Sequence, residues 1–235
     1  MPTKKETTKR KTVKKVKKEK TSSKGVSTEI VCVIDRSGSM DSIKGDAIGG
    51  FNNFLNEQKK LPGAVNMTII QFDNEYMIMC SGKPIAEVEP LTEKTYQPRG
   101  STALLDAIGR SISEVNQRNP EKAIIVILTD GQENSSNEYT KQGIKLMIAE
   151  CEKKGWVVIY LSAHSDAFKD AHSVGVPMNN VMSFKSDAKG ANTATMSASY
   201  AAGDYRKHGR LACGMSAYSS RASHEYDTIY KNKTH

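Results

Sequence analysis

The sequence has no apolar run long enough to cross a membrane, and no apolar segment follows the charges near its N-terminus. We therefore expect neither a transmembrane helix nor a secretory signal peptide. The four cysteines form no C-x-x-C pair, and Cys32 and Cys80 lie within apolar runs. Unpaired thiols of this kind are typical of a reducing compartment. These absences together predict a cytoplasmic protein with no membrane contact.

The motifs of several enzyme classes are missing too. The chain has neither the G-x-x-x-x-G-K-[ST] phosphate loop nor the G-x-G-x-x-G dinucleotide fingerprint. The stretch Gly214-Met-Ser216-Ala-Tyr218 lacks the final glycine of a G-x-S-x-G nucleophile elbow. The five histidines are too scattered along the chain to predict a zinc site. We therefore predict no catalytic residues and expect a protein that is not an enzyme.

Acidic residues are scarce near the N-terminus. Residues 1–24 contain eleven Lys and Arg against two Glu, so the formal net charge of +8 belongs to this segment and the rest of the chain is close to neutral. A like-charged run with few apolar residues cannot offset its ordering entropy, so residues 1–27 are predicted to be a disordered basic tail. The tail is either a solubilising arm or a contact for nucleic acid or an acidic protein. It has no aromatic residue for stacking on bases, which weakens the case for single strands.

Apolar strands and amphipathic helices alternate over the remaining chain. Continuous apolar runs at 29–35, 123–129 and 156–161 predict strands that are buried on both faces. Residues 65–72 alternate like a half-buried strand, and residues 76–80 are predicted to return beside them at an edge. The remaining predicted elements are helices at 43–61, 104–115, 138–153 and 166–172, and a last strand at 181–184.

This alternation predicts an α/β fold. We expect a doubly wound, mostly parallel, Rossmann-like sheet covered by helices on both faces, with one antiparallel edge hairpin at 65–80. The domain is assigned to residues 28–207, with a further helix within 187–207. For the C-terminal extension, residues 208–235, the sequence predicts neither order nor disorder.

Side chains with oxygen atoms cluster where strands end or helices begin. Asp35-Arg-Ser37-Gly-Ser39 follows the first strand, Thr102 stands at a helix start, and Asp130 follows the strand at 123–129. In a doubly wound sheet, ligands bind outside the carboxyl ends of the strands. Carboxylate and hydroxyl oxygens are hard ligands that suit Mg²⁺ or Mn²⁺. The pattern therefore predicts that these five side chains face one divalent metal site.

The same residues carry a family resemblance. Asp-x-Ser-x-Ser, a distant threonine and a later aspartate resemble the metal-ion-dependent adhesion site (MIDAS) of von Willebrand factor A (vWA) domains. The resemblance covers about residues 30–185 and includes the order of helices and strands. It implies that Ser37, Ser39 and Thr102 bind the metal directly. It also implies that Asp35 and Asp130 complete the metal's ligand shell, either directly or through water.

The resemblance also implies a function. In vWA domains, a Glu or Asp from a partner protein fills the open position at the metal, and intracellular relatives often serve as adaptors for larger machines. The chain departs from the family at residues 99–102, Arg-Gly-Ser-Thr, where many relatives have Gly-Gly-Thr. Since Thr102 is kept, we expect metal coordination to persist. The bulkier Arg99 and Ser101 can change what fits beside the metal.

Two other functions remain open at this point. Metal-dependent phosphohydrolases of the haloacid-dehalogenase type use a similar sheet but need Asp-x-Asp after the first strand. Here Ser37 replaces the second carboxylate, so no acid or base stands beside Asp35. The other alternative is binding of nucleic acid or an acidic partner through the basic tail, independently of the metal.

Other polar residues near these loops have ordinary structural interpretations. Glu133 is expected to be a solvated loop charge, and Ser135 or Ser136 is expected to cap the next helix. Four aspartates are expected to accept hydrogen bonds from backbone N–H groups at turns or helix starts: Asp41, Asp46, Asp73 and Asp106. Asp106, one turn after Thr102, is the best candidate among them for supporting the metal site.

Overall fold

Six strands form one sheet in the part of the chain that the structure, a computed structural model, describes, residues 27–231. The strands are β1 (Thr28–Asp35), β2 (Val65–Phe72), β3 (Tyr76–Pro84), β4 (Lys122–Thr129), β5 (Val157–Ser162) and β6 (Val181–Ser183). They lie in the order β3-β2-β1-β4-β5-β6. Only the pairing of β2 with β3 is antiparallel. The predicted mostly parallel sheet with one antiparallel edge pair is confirmed.

Helices cover both faces of this sheet. The α-helices of the described residues are α1 (Lys44–Lys60), α2 (Leu104–Arg118), α3 (Lys141–Lys153), α4 (Ala167–Ser173), α5 (Ala188–His208) and α6 (Met215–Lys231). Helices α1, α5 and the first turns of α6 pack on one face, and α2, α3 and α4 pack on the other. The fold class predicted from the alternating pattern is thereby confirmed.

The central strands are apolar along their whole length because each face meets helices. Alternate residues of β1 enter different cores: Cys32 lies in the core under α1 and α5, whereas Val31 and Val33 lie in the core under α2 and α3. Strands β1 and β4 pair in parallel register, with Ile34 opposite Leu128. The loops that follow these two strands therefore start side by side at one edge of the sheet.

The strand order reverses between β1 and β4. Strands β2 and β3 extend the sheet on one side of β1, and β4, β5 and β6 extend it on the other side. In doubly wound sheets, the crevice outside the carboxyl ends of the strands at such a reversal is where ligands bind. The loops after β1 and β4 flank this crevice.

Two helix starts near this crevice use caps that the sequence did not predict. Helix α3 begins after Thr140, whose hydroxyl oxygen accepts a hydrogen bond from the Gly143 N–H at 3.1 Å. Ser136 instead accepts a hydrogen bond from the Asp106 N–H at 3.1 Å, in the first turn of α2. The prediction that Ser135 or Ser136 caps the helix that follows them was wrong. The β4–α3 loop folds back over α2, which places Ser136 at the start of the earlier helix.

The C-terminal region is helical as far as the structure describes it. Helix α5 matches the helix predicted within 187–207, and α6 lies in the C-terminal extension, for which neither order nor disorder was predicted. The Tyr218 hydroxyl of α6 donates a hydrogen bond to Asp204 Oδ2 at 2.7 Å and accepts one from the Ala212 N–H at 3.0 Å. Met215 is fully buried in the core under α1 and α5. These contacts fix α6 to the rest of the domain.

The predicted disordered tail, residues 1–27, lies outside the described residues apart from Ser27. It joins the domain at the first residue of β1, which is the end of this central strand that lies away from the crevice. Within residues 27–231, no helix has the length and apolar character needed to cross a bilayer.

Candidate metal centre

Asp35, the last residue of β1, has a fully buried side chain. Its Oδ1 accepts a hydrogen bond from the Ser37 N–H at 2.7 Å, and its Oδ2 accepts one from the Thr129 hydroxyl. Desolvation raises the pKa of Asp35 to about 6; the hydrogen bonds oppose this rise, and the charge of Asp130 adds to it. Among residues 27–231 no Lys or Arg forms an ion pair with this carboxylate. A buried carboxylate in this state favours a cation beside it.

The two serines of the loop after β1 lie next to Asp130. The Ser37 and Ser39 hydroxyl oxygens are 3.1 Å apart, and the Ser39 hydroxyl donates a hydrogen bond to Asp130 Oδ1 at 2.7 Å. Ser37 is buried, with 2% of its surface exposed, whereas Ser39 is exposed. The cluster of oxygens therefore opens to solvent on the side of Ser39.

The loop that carries Thr102 is held against both other loops. The Gly38 N–H donates a hydrogen bond to the Gly100 carbonyl oxygen at 3.1 Å. On the other side, the Thr102 N–H donates to Asn134 Oδ1 at 2.8 Å, and the Asn134 N–H donates back to the Thr102 carbonyl oxygen at 3.0 Å. Thr102 itself is 3% exposed. Backbone contacts thus fix the position of its hydroxyl in the crevice.

Gly131 shows that three predicted ligand hydroxyls converge on one point. A Cβ atom at residue 131 would lie 2.9 Å from Thr102 Oγ1, 3.5 Å from Ser39 Oγ and 3.6 Å from Ser37 Oγ. These three oxygens come from two different loops, and they surround a space that a single methyl group would fill. The absence of a side chain at Gly131 keeps that space open.

Asp130 completes this arrangement at the end of β4. Desolvation raises its pKa, while the hydrogen bond from Ser39 and the charge of His164 lower it. His164 follows β5, the neighbouring strand, and its Nδ1 lies 3.0 Å from Asp170 Oδ2. The structure therefore brings together all five residues that the sequence predicted: Asp35, Ser37, Ser39, Thr102 and Asp130.

Asp73 is a contributor that the sequence analysis treated as a simple turn residue. Its Oδ1 accepts the Glu75 N–H at 2.6 Å, as a turn carboxylate would. Its Oδ2 also lies 2.9 Å from Arg99 Nε and 3.2 Å from Arg36 Nη2. Asp73 and Arg36 are 0% and 6% exposed in their side chains. The fully buried Asp73 therefore joins the loop after β1 to the loop that carries Thr102.

A signal for Asp73 was present in the sequence. It directly follows β2, just as Asp35 follows β1, and the last residue of β2, Phe72, pairs with Asp35. Carboxyl ends of neighbouring parallel strands meet at the same edge of a sheet. The position of Asp73 after β2 thus indicates that it lies near the site. Its pairing with two arginines is seen only in the structure.

Glu133, in the β4–α3 loop, and Asp106, in the first turn of α2, hold that loop and that helix together. Glu133 Oε2 accepts the Leu105 N–H at 2.9 Å at the start of α2, so the prediction of a solvated loop charge was wrong. The Asp106 carboxylate accepts the N–H groups of residues 137–139 at 2.8 to 2.9 Å. Glu133 thus accepts from the backbone of α2, and Asp106 accepts from the backbone of the β4–α3 loop. Asp106 therefore supports the site through the loop and does not face the hydroxyls.

Tyr96 is a second contributor that the sequence analysis missed. It is fully buried beneath the site, and its hydroxyl donates a hydrogen bond of 2.5 Å to the backbone carbonyl oxygen of Asp35. The bond fixes the backbone of Asp35, the last residue of β1. An isolated tyrosine in a proline-containing loop carries no sequence signal for this role.

The donor set fits a hard divalent cation. The described residues hold no group of three or more His, Cys, Asp or Glu that could bind a metal, so a site here must rely on hydroxyl oxygens. The space beside Gly131 supplies three hydroxyls, and Asp35 and Asp130 supply two carboxylates. Oxygen donors of this kind suit Mg²⁺ or Mn²⁺ more than softer metals.

Part of this chain matches a known protein family. Residues 30–132 match the family profile "von Willebrand factor type A domain", which spans β1 to the residues just after Asp130. The fold is like that of vWA domains. No curated protein matches the sequence.

Solved structures show the same fold at low sequence identity. Proximal thread matrix protein 1 from the mussel byssus has a TM-score of 0.51 and 16% identity, covering 73% of this chain and 47% of its own. The pilus adhesin SpaC from Lactobacillus rhamnosus GG has a TM-score of 0.54 and 15% identity, covering 73% of this chain and 29% of its own. This chain thus spans less than half the length of either protein.

A further structure of the mussel protein is described as having a zinc-occupied MIDAS motif. It has a TM-score of 0.50 and 16% identity, and it covers 68% of this chain and 41% of its own. At this identity the likeness concerns the fold alone.

Proposed function

We propose that this vWA-like domain is a non-enzymatic, Mg²⁺-dependent module that captures a carboxylate from a protein partner. The observation that carries the proposal is the convergence of the Ser37, Ser39 and Thr102 hydroxyls around the space beside Gly131. vWA domains generally mediate metal-dependent protein–protein interaction. Mn²⁺ is the alternative ion that the same donors suit.

The charge of the site explains why it would take a further anion. Asp35 and Asp130 supply two negative charges, and the three hydroxyls supply none. A divalent ion held by this set is not over-neutralised and retains attraction for another carboxylate. The exposed Ser39 lies on the open side of the cluster, where a Glu or Asp of a partner can approach.

The ion would contribute a fixed positive charge at the mouth of the crevice. Asp35 and Asp130 set the net charge around the ion. The hydroxyls add no negative charge, so the ion remains attractive to a carboxylate of the partner. Ser37 stands where an Asp-x-Asp phosphohydrolase has its second carboxylate, so Asp35 lacks the carboxylate two residues on that this motif uses as its acid or base. These features favour binding over catalysis.

Calorimetry tests the metal requirement. The protein should bind Mg²⁺, and Asp35→Asn should weaken the affinity by at least about tenfold because it removes half of the carboxylate charge. Asp41→Asn is a matched control, since Asp41 is exposed in the 3₁₀ helix Gly38–Ile43, two residues after Ser39. Equal affinities in the wild-type protein and Asp35→Asn would overturn the proposed metal site.

Nuclear magnetic resonance tests the capture of carboxylate. In ¹⁵N-labelled protein with Mg²⁺, acetate should shift the amide signals of Ser37, Ser39 and Gly131 in a saturable manner. The shifts should disappear with EDTA and in Asp35→Asn. Acetate shifts that are equal with and without Mg²⁺ would contradict the proposal.

A second candidate function rests on the basic segment. Residues 1–24 carry eleven Lys and Arg against two Glu, so they could bind nucleic acid or an acidic protein independently of the metal. If this segment makes about six phosphate contacts, the logarithm of affinity should fall with the logarithm of salt at a slope of about −5. Deletion of residues 1–24 should abolish the binding. Equal DNA or RNA binding by the shortened protein would rule this function out.

We also propose that the protein works as an adaptor in the cytoplasm. All four of its cysteines are free, and Cys32 and Cys151 are buried. Burial raises the pKa of the Cys151 thiol to about 11, so it is unreactive. Free cysteines support a reducing compartment. Fractionation of cells that express the natural protein would test this location.

A further inference from the structure

Arg99 lies at the rim of the proposed metal site. Its N–H donates a hydrogen bond of 2.7 Å to the Arg36 carbonyl oxygen, within the loop after β1. The next residue, Gly100, accepts the Gly38 N–H at 3.1 Å. The Arg99 side chain is 54% exposed. The backbone at residues 99 and 100 therefore lies against the loop that carries Ser37 and Ser39, and the charged side chain of Arg99 is half exposed to solvent.

The two acidic partners of Arg99 differ in how firmly they hold it. Asp73 is fully buried and lies 2.9 Å from Arg99 Nε. Glu75 contacts the outer nitrogen, Arg99 Nη2, and is 62% exposed. An exposed ion pair contributes little free energy, because water solvates both charges well when they separate. The contact with Asp73 fixes the guanidinium, and the contact with Glu75 can be exchanged at low cost.

Arg36, which is buried, also pairs with Asp73, so this one carboxylate cannot neutralise both arginines. Arg36 Nη2 lies 3.2 Å from the same Asp73 oxygen, and its Nε is buried without a hydrogen-bond partner. One buried carboxylate thus serves two guanidinium groups. The second negative charge comes from Glu75, which also lies 3.7 Å from Arg36 Nη2. An incoming carboxylate could take the place of Glu75 at Arg99.

We propose that Arg99 binds a second carboxylate of the ligand, so that the domain prefers acidic peptide segments with two neighbouring Asp or Glu side chains. This inference rests on the proposed function, in which the first carboxylate docks at the metal. The exposed outer edge of the Arg99 guanidinium offers two N–H donors, which match a carboxylate. The ligand class is thus a diacidic segment of a protein partner.

The experiment compares one carboxylate with two. Acetate, malonate, succinate and glutarate are titrated into ¹⁵N-labelled, Mg²⁺-loaded full-length protein at constant ionic strength, and the amide signals of Ser37, Ser39 and Gly131 are followed. At least one dicarboxylate should bind about threefold to fivefold more tightly than acetate, after correction for its two equivalent ends. The Arg99 side-chain N–H signal should shift with that dicarboxylate and not with acetate.

Variants assign the preference to Arg99. Arg99→Gln should lose the preference for the dicarboxylate, measured as the ratio of the dicarboxylate affinity to the acetate affinity within the same variant. Glu75→Gln should keep or increase the preference, because it frees the outer face of Arg99. Arg110→Gln is a matched control that removes another partly exposed arginine, which pairs with Glu138. It should leave the preference unchanged.

The outcomes separate this inference from the proposed function. If acetate shifts the metal-loop amides but no dicarboxylate is preferred, or if the preference survives in Arg99→Gln, the role of Arg99 is wrong and carboxylate capture stands. If no carboxylate shifts those amides in the presence of Mg²⁺, the proposed function is wrong, and this inference is wrong with it.

Discussion

Ser39 and Asp130 are joined by a hydrogen bond of 2.7 Å, although 91 positions separate them in the chain. Thr129 and Asp35, 94 positions apart, are joined in the same way. The first contact links the loops after β1 and β4, and the second links the last residues of these two strands. Because the loops are also held by backbone hydrogen bonds, single substitutions inside the crevice should change metal binding without unfolding the domain.

Gly131→Ala is the most direct test of the crevice. The added Cβ would lie 2.9 Å from Thr102 Oγ1 and would occupy the space among the three hydroxyls. We expect Mg²⁺ affinity to fall by at least about tenfold. Isothermal titration calorimetry measures this effect, and circular dichroism shows whether the fold is retained.

Gly49→Ala provides the control for that substitution. Gly49 lies within α1, and a Cβ there would meet no atom within 4 Å. We expect unchanged Mg²⁺ affinity and a gain in stability of about 0.5–1 kcal/mol, since alanine favours a helix more than glycine does. Unchanged metal affinity in Gly131→Ala as well would show that the hydroxyls do not face the metal.

Asp73→Asn should destabilise the protein strongly. The substitution removes the buried negative charge that pairs with Arg36 and Arg99, and an uncompensated buried guanidinium costs about 3–5 kcal/mol. Urea denaturation measures the loss. The double variant Asp73→Asn/Arg36→Gln should be more stable than Asp73→Asn alone, because it also removes the unpaired charge.

The exposed pair Arg110–Glu138 is the comparison for Asp73. Both side chains are more than 40% exposed, at 41% and 48%. Glu138→Gln should therefore change stability far less than Asp73→Asn does. If Asp73→Asn costs no more than Glu138→Gln, then Asp73 does not fix the loops of the site.

Tyr96→Phe should affect both stability and metal binding. It leaves the buried carbonyl oxygen of Asp35 without its hydrogen bond, at a cost of about 1–3 kcal/mol, and it loosens the end of β1. Tyr205→Phe is the control, because the buried Tyr205 hydroxyl donates to the Gly155 carbonyl oxygen at the opposite edge of the sheet. Both variants should lose stability, but only Tyr96→Phe should weaken Mg²⁺ binding. Equal Mg²⁺ affinities would contradict the role of Tyr96.

The effect of Mg²⁺ should depend on pH. Without metal, the pKa of Asp35 is about 6, above its ordinary value of 3.8. Its burial therefore contributes stability below about pH 4 that is lost as the pH rises through about 6, where the buried carboxyl ionises. Mg²⁺ binds the ionised form, so it should raise Tm more near pH 7.5 than near pH 5. Asp35→Asn should show little Mg²⁺ effect at either pH, and an equal Tm increase at both pH values in the wild-type protein would contradict this prediction.

The sequence predicted the fold well because the strongest signals are local. Runs such as IVCVI in β1 and IIVIL in β4 are apolar on both faces, which is typical of the buried strands of a parallel sheet. The five predicted site residues lie at strand ends and helix starts, so the topology alone brings them to one edge. Their roles as metal ligands stay a prediction.

The rest could not be predicted, since it depends on contacts between distant segments. Glu133 resembles any loop carboxylate until the β4–α3 loop is seen folded over α2. Asp73 has the sequence context of an ordinary turn. Helix α6 is rich in Ser and Tyr, and its position is fixed by partners such as Asp204, which lies in another helix. None of these contacts leaves a periodic pattern in the sequence.

The direction of β1 separates the proposed metal site from the point where the basic segment joins the domain. The strand starts at Thr28, where the lysine-rich segment joins, and it ends at Asp35, in the crevice. Eight extended residues span about 26 Å. A protein bound at the crevice would therefore lie about one strand length from the point where the basic segment joins the domain.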